Sequence, residues 1–194
     1  MPTGCVVNTI DRKTSYGTGV GASLLLPVIP KYADVQGSIM YGGGIGRYGS
    51  GQLPDVTIAA DGSLAPITAL HVFAGVVVHP RESLDVYAYG GVEQARARYF
   101  DTLGYGNPAF DNSGCTVTTA SSFSSGTTPT CVANNRQLAE VTVGFWQDLY
   151  KGHFGRLAVG AQYEYIRREA FEGVGGAPST DNNIFYTSLR YYPF

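Results

Sequence analysis

Side chains of alternating polarity recur in long segments of this chain, and this alternation restricts the fold more than any other feature. Between Arg156 and Arg168 the odd positions from Leu157 to Tyr165 are apolar or aromatic, whereas the even positions carry small or polar residues. A period of two indicates a β-strand with one apolar and one polar face. The sequence therefore predicts an all-β fold. Its seven strands lie at about 20–29, 33–47, 70–78, 84–92, 137–150, 156–168 and 184–194, and residues 4–10 form a candidate eighth.

The connections between these segments alternate in length. Short connections at 27–32, 79–83 and 150–155 alternate with long ones at 48–66, 100–136 and 170–182. In an antiparallel meander this rhythm places all tight turns at one end of the sheet and all long loops at the other. Each apolar face covers about nine to eleven residues, the length of a tilted membrane-spanning strand. The pattern predicts an antiparallel up-and-down transmembrane β-barrel, with a soluble β-sandwich as the alternative.

Composition excludes several other classes of protein. Charged residues make up 14% of the 194 residues, against roughly 25% in soluble domains. The net charge of −2 provides no basic surface for nucleic acid, and no apolar run approaches the roughly 20 residues of a spanning helix. Glycine supplies 26 residues, many on the polar faces. Inward aromatic residues are expected to fill the space there, namely Tyr87, Tyr89, Trp146 and Tyr186.

The polar faces of the strands define the candidate interior of the barrel. Six acidic and three basic side chains lie on these faces, so a weak preference for cations is expected. Glu164 beside Arg156 or Arg190 is a candidate ion pair. The predicted lumen-facing residues are Asp34, Asp85, Glu93, Glu140, Asp148, Arg156, Gln162, Glu164, Arg168 and Arg190.

Two cysteines lie within the long connection 100–136, which is interpreted as an outer loop. Cys115 and Cys131 bracket a stretch of Ser, Thr, Gly and Pro, an arrangement that favours a disulfide in an oxidising compartment over two free thiols. Cys5 stands alone. Residues 1–13 lack the apolar run of a secretory signal, and seven strands are an odd number. We therefore expect the C-terminal portion of a larger barrel in preference to a single complete barrel domain over 1–194.

No pattern for catalysis or metal binding is present in the sequence. There is no Gly-x-Ser-x-Gly elbow, no Cys/His spacing of a zinc site and no calcium-loop motif. His79 and His153 lie at tight turns and His71 lies mid-strand, positions that favour structural roles. The chain is therefore not expected to be an enzyme or to hold a cofactor.

The C-terminal segment, Phe185-Tyr-Thr-Ser-Leu-Arg-Tyr-Tyr-Pro-Phe194, resembles the assembly signal of Gram-negative outer-membrane β-barrels. By this resemblance Leu189, Phe194 and either Tyr191 or Tyr192 are read by the barrel-assembly machinery. Residues 42–49 and 143–165 are also similar to strands of porin-like proteins. Pro193 cannot donate to a strand ladder.

The resemblance implies a location in the bacterial outer membrane, with the lipid bilayer and the assembly machinery as partners, and it leaves association with further copies of the chain open. It implies a passive channel or transport role. Two alternatives remain: a barrel without conductance that serves adhesion or structure through its outer loop, and a soluble secreted β-sandwich that binds carbohydrate. Two aromatic bands favour a membrane. The bands are Tyr32, Tyr150, Phe154, Tyr191, Tyr192 and Phe194 at the turn end, and Tyr48, Tyr99, Phe100 and Phe171 at the loop end.

Overall fold

The computed structural model describes residues 14–116 and 130–193, and in this part the chain is all-β with antiparallel pairing between strands. This confirms the predicted fold class at the level of an antiparallel sheet. No helix of the described residues has the length and hydropathy needed to cross a membrane. The strands are β1 Thr18–Ile29, β2 Ala33–Gly43, β3 Val56–Ile58, β4 Leu64–Pro66, β5 Thr68–Arg81, β6 Leu84–Ala95, β7 Arg98–Phe100, β8 Leu103–Tyr105, β9 Asn135–Gly152, β10 Gly155–Ala170 and β11 Ser179–Tyr192.

Seven long strands form one sheet in the order β1-β2-β5-β6-β9-β10-β11. Tight connections at 30–32, 82–83 and 153–154 alternate with long ones at 44–67, 96–134 and 171–178, as the sequence predicts. Two of the long connections contain small hairpins, β3–β4 and β7–β8. The first also contains a single 3₁₀ turn at Gly46–Tyr48.

The sheet of the described residues does not close on itself. β1 and β11 each pair with one neighbour only, so each presents an unpaired edge. Because seven successive strands alternate in direction, these two edge strands run the same way. The candidate strand 4–10, Cys5, Phe194 and the centre of the outer loop at 117–129 lie outside the described residues.

The register of the sheet separates an apolar face from a polar face. One row of directly opposed residues on the apolar face crosses all seven strands and consists only of aliphatic and aromatic residues. Opposed residues in adjacent antiparallel strands lie on the same side of a sheet, so this row is continuous. It consists of Leu26, Val35, Val76, Ala88, Val143, Tyr163 and Phe185.

The compact hydrophobic core lies at the loop end, between the long connections and the sheet. Leu53 and Ile67 are completely buried there, together with Ala95 and Tyr105. Phe171 packs edge-on against Tyr105, with ring centroids 5.7 Å apart. Phe171 therefore belongs to this core, whereas the sequence placed it in an interfacial aromatic band.

Candidate functional site

The ten residues predicted to line the interior all lie on the polar face. The opposed row through Asp34, Val77, Tyr87, Gly144 and Gln162 crosses five strands on this face and includes two of the ten, and the other eight predicted residues are in phase with it. Asp148 lies on this face opposite Ala158, and the bulge at Leu149 that follows it places Lys151 opposite Arg156. The structure thus brings these side chains together on one surface.

Glycine residues on this face lie opposite aromatic residues. Gly75 pairs with Tyr89, Gly144 with Tyr87 and Gly160 with Trp146. In each pair the ring lies where a β-carbon on the glycine would be. Aromatic coverage of a cross-strand glycine compensates for the missing side chain. Tyr87, Tyr89 and Trp146 thus fill space on the polar face as expected, while Tyr186 lies opposite Gln162.

Two of these aromatic residues also contact side chains two strands away. The Tyr87 hydroxyl donates to Gln162 Oε1 at 2.9 Å across Gly144. The guanidinium of Arg190 lies over the Trp146 ring, 3.7 Å from its centroid, across Gly160. The glycines therefore allow contacts between next-nearest strands, which a larger residue would block.

The basic residues of the polar face have partners that the sequence does not reveal. Arg156 Nε donates to Asp148 Oδ1 at 2.6 Å, and Glu164 Oε2 accepts from Gln162 Nε2 at 3.4 Å. The proposed pairing of Glu164 with Arg156 or Arg190 is therefore not formed, because Arg190 stacks on Trp146 and Arg156 is held by the bulged strand. Arg168 donates to Asn135 Oδ1.

Near the tight turns, His79 joins three strands of the sheet. Its Nδ1 lies 2.7 Å from Asp85 Oδ1 on β6, and its Nε2 lies 3.2 Å from Asp34 Oδ2 on β2. A protonated ring satisfies both carboxylates. Asp34 and Asp85, two of the predicted interior acids, are therefore paired with His79 and contribute little to the electrostatic field of the polar face.

At the opposite end, the segment Tyr48–Gly51 is attached to the polar face through Glu93. The backbone N–H of Gly51 donates to both carboxylate oxygens, at 3.1 and 3.0 Å. A β-carbon at Gly49 would collide with Glu93 and with His71. The glycines of this segment thus permit its backbone to approach the carboxylate of Glu93, which belongs to the sheet.

His71 completes this attachment. Its Nε2 lies 3.2 Å from the carbonyl oxygen of Ile45, which can only accept, so Nε2 carries the proton. Its Nδ1 is buried, lies 3.7 Å from Glu93 Oε2 and has no hydrogen-bond partner among the described residues. Among the described residues, no serine hydroxyl is hydrogen-bonded to either nitrogen of this ring.

A cavity of about 730 Å³ lies between this segment and the polar face. Its wall includes Phe73, Tyr89, Glu93 and Glu140, and Tyr48 and Gly51 are among the residues that cover it. The volume is in the range of small-molecule sites. The alternating pattern of the strands does not predict this cavity. The glycine-rich stretch 46–51 was its available signal, because clustered loop glycines indicate close backbone contacts.

The outer loop is held by a disulfide and by buried polar groups. The bridge between Cys115 and Cys131, predicted from the sequence, is present. Buried Asn112 donates to the carbonyl oxygens of Phe171 and Gly176, at 3.1 and 2.9 Å. Hydrogen bonds from Ser113 lower the pKa of Asp111, and burial raises the pKa of Tyr105 to about 12. These contacts join the loops 96–134 and 171–178.

At the C-terminus, the register distinguishes the two candidate tyrosines. Leu189 pairs with Val159 and Tyr191 with Leu157, so both lie on the apolar face. Tyr192 pairs with Arg156 and lies on the polar face, where the Arg156 guanidinium is 5.5 Å from its ring centroid.

Within the part of the chain that the structure describes, no group of three or more His, Cys, Asp or Glu residues is arranged to hold a metal ion. Comparison of the chain with protein-family models, curated proteins and solved structures gave no match.

Proposed function

We propose that this chain forms part of the wall of a membrane-spanning β-barrel in the bacterial outer membrane, and that the barrel is a porin-like passive channel. The apolar face contacts lipid, the polar face lines the interior, and the long loops extend outward. The proposed assembly signal is Leu189, Phe194 and Tyr191, because Tyr191 shares the apolar face with Leu189 whereas Tyr192 does not.

The apolar face is the observation that carries this proposal. On the row described above, Leu26, Val143 and Phe185 are 54%, 44% and 68% exposed. A contiguous apolar surface across seven strands far exceeds the patches that soluble monomers tolerate. In a β-sandwich a second sheet covers this face, and the described residues supply none. Lipid is the solvent that such a face requires.

The unpaired edges of β1 and β11 restrict how the proposed barrel can close. Unpaired backbone groups are not tolerated in hydrocarbon, so the edges of β1 and β11 require further strands. Because these edges run in the same direction, a fully antiparallel closure needs an odd number of additional strands. This requirement agrees with the even total that is usual in bacterial barrels.

Site-directed spin labelling along β10 tests the orientation. Nitroxides at positions 157, 159, 161, 163 and 165 are expected to collide with oxygen dissolved in the lipid. Labels at 158, 160, 162 and 164 are expected to collide with a water-soluble nickel reagent. The alternating pairs in one strand serve as their own controls. Equal accessibility at odd and even positions would contradict a lipid-facing strand.

Planar-bilayer recording tests the channel. We expect steps of conductance and, in a salt gradient at low ionic strength, a reversal potential that indicates weak cation preference. Anion preference would refute the proposed contribution of the interior acids. Solubility without detergent would instead favour the carbohydrate-binding sandwich.

The segment Tyr48–Gly51 favours a second candidate, a barrel of structural or adhesive function without conductance. Its attachment to Glu93 places loop backbone over the proposed interior. If this segment blocks the interior, the native protein gives no conductance, and Glu93→Ala, which removes the acceptor of the Gly51 N–H, should conduct. The absence of conductance in both the native protein and Glu93→Ala would support the non-conducting candidate.

A further inference from the structure

We propose that the cavity around Gly91 is a binding site for a small organic cation, formed by Glu140 and Glu93 together with the rings of Phe73 and Tyr89. This inference goes beyond the proposed channel, because it concerns a ligand of the polar face and holds whether or not the barrel conducts.

Gly91 lies at the centre of the site. Phe73 on β5 and Glu140 on β9 are directly opposed to it on its two sides. Tyr89 and Glu93 are two positions away along β6 and therefore point to the same face. The β-carbons of directly opposed residues lie about 4.5–5.5 Å apart. Two rings and two carboxylates therefore surround a position that has no side chain.

The space above Gly91 is open, in contrast to that above the other paired glycines. A β-carbon there would contact only the carbonyl oxygen of Val72, at 3.5 Å. Its opposed aromatic residue, Phe73, stacks instead on Tyr89, with centroids 5.6 Å apart. The ring therefore forms a wall of the cavity and does not cover the glycine.

The charge of the cavity selects the class of ligand. Glu93 and Glu140 line it, and no Lys or Arg does so among the described residues. Glu93 is occupied by Gly51, whereas Glu140 is exposed and accepts from Thr142 Oγ1 at 2.7 Å, leaving its other oxygen available. Aromatic faces attract organic ammonium ions, while hard metal ions prefer oxygen ligands throughout. The arrangement therefore fits an ammonium ion with apolar substituents.

Isothermal titration of the full chain in detergent tests this inference with choline and its neutral analogue 3,3-dimethyl-1-butanol. We expect choline to bind about tenfold more tightly or better, since only choline carries the charge. Glu140→Gln should remove most of this difference. Gly91→Leu should abolish binding by filling the cavity.

Gly90→Leu is the matched control, because residue 90 points to the opposite face and a β-carbon there would meet nothing closer than 3.8 Å. It should bind choline as the native protein does. Equal affinity for choline and the neutral analogue, or unchanged choline binding by Gly91→Leu, would overturn the inference. Fluorescence of Trp146, the single tryptophan, checks that each variant is folded, and if Gly91→Leu is not, Glu140→Gln decides. Since no membrane is used, failure here is distinct from failure of the channel proposal.

Discussion

The pairing of Gly160 with Trp146 allows a sharp test of how the polar face is built. A β-carbon at position 160 would lie 2.7 Å from Cε3 of Trp146 and 2.8 Å from the carbonyl oxygen of Phe145. The ring could rotate away, but the backbone oxygen belongs to the adjacent strand and cannot move without distorting the ladder. Gly160→Ala therefore introduces a clash that side-chain rearrangement alone does not relieve.

The expected cost follows from two contributions. Overpacking of a well-packed site costs about 1–3 kcal/mol. Displacement of Trp146 also separates it from Arg190, and such cation–π contacts contribute about 0.5–2 kcal/mol. Because the two effects share one rearrangement, we expect Gly160→Ala to lower the free energy of unfolding by about 2–3 kcal/mol.

Unfolding in urea from detergent or lipid vesicles measures this loss, with the emission of Trp146 as a local reporter. We expect a lower midpoint and a shifted emission maximum, since the ring leaves its place between Gly160 and Arg190. Gly90→Ala is the control, because no atom would lie closer than 3.8 Å to the new carbon, and it should change stability by less than about 1 kcal/mol. Native-like stability and emission in Gly160→Ala would refute the argument.

Further predictions concern the loops and the lipid-facing surface. Cys115 and Cys131 should resist a thiol probe until a reductant is added, and Cys115→Ser should cost about 3 kcal/mol in the chain-entropy model; labelling of both in the untreated protein would contradict the bridge. Val159→Arg should cost about 2–4 kcal/mol in a bilayer, measured by unfolding from vesicles, and an unchanged midpoint would contradict lipid contact. Because the pKa of Tyr105 is raised from 10.0 to about 12, the unfolded chain loses this proton first. Stability should therefore fall as the pH rises through this interval, and Tyr105→Phe should reduce that fall in urea titrations; identical pH profiles would contradict it.

The long strands and their faces could be predicted because they are specified locally. A period of two over Arg156–Arg168 places Leu157 and Tyr163 on one side and Gln162 on the other, whatever the neighbouring strands are. The disulfide was predictable for a similar reason, since a polar segment between two cysteines indicates a bridged loop.

Partners across the sheet could not be predicted, because they depend on register. The bulge at Leu149 places Lys151 directly opposite Arg156, whereas the acceptor of Arg156 is Asp148, which lies opposite Ala158. A bulge adds one residue without disturbing the alternation on either side for long, so it leaves a weak sequence signal. The short strands of the loop hairpins, such as Val56–Ile58, are too brief to show a period at all. The core that they help to enclose was therefore missed.

The cavity shows where sequence patterns stop being informative. Four glycines of the polar face lie opposite an aromatic residue, and the sequence distinguishes none of them. At 75, 144 and 160 the ring lies over the glycine, whereas the ring opposite Gly91 does not. Phe73 stacks on Tyr89, which is itself positioned over Gly75 and stacked on Tyr87 at 5.2 Å. The continuous stack of rings thus draws Phe73 away from its own partner, and the space left at Gly91 is the cavity. Aromatic packing that stabilises the sheet at three positions therefore creates, at the fourth, the pocket in which we place an organic cation.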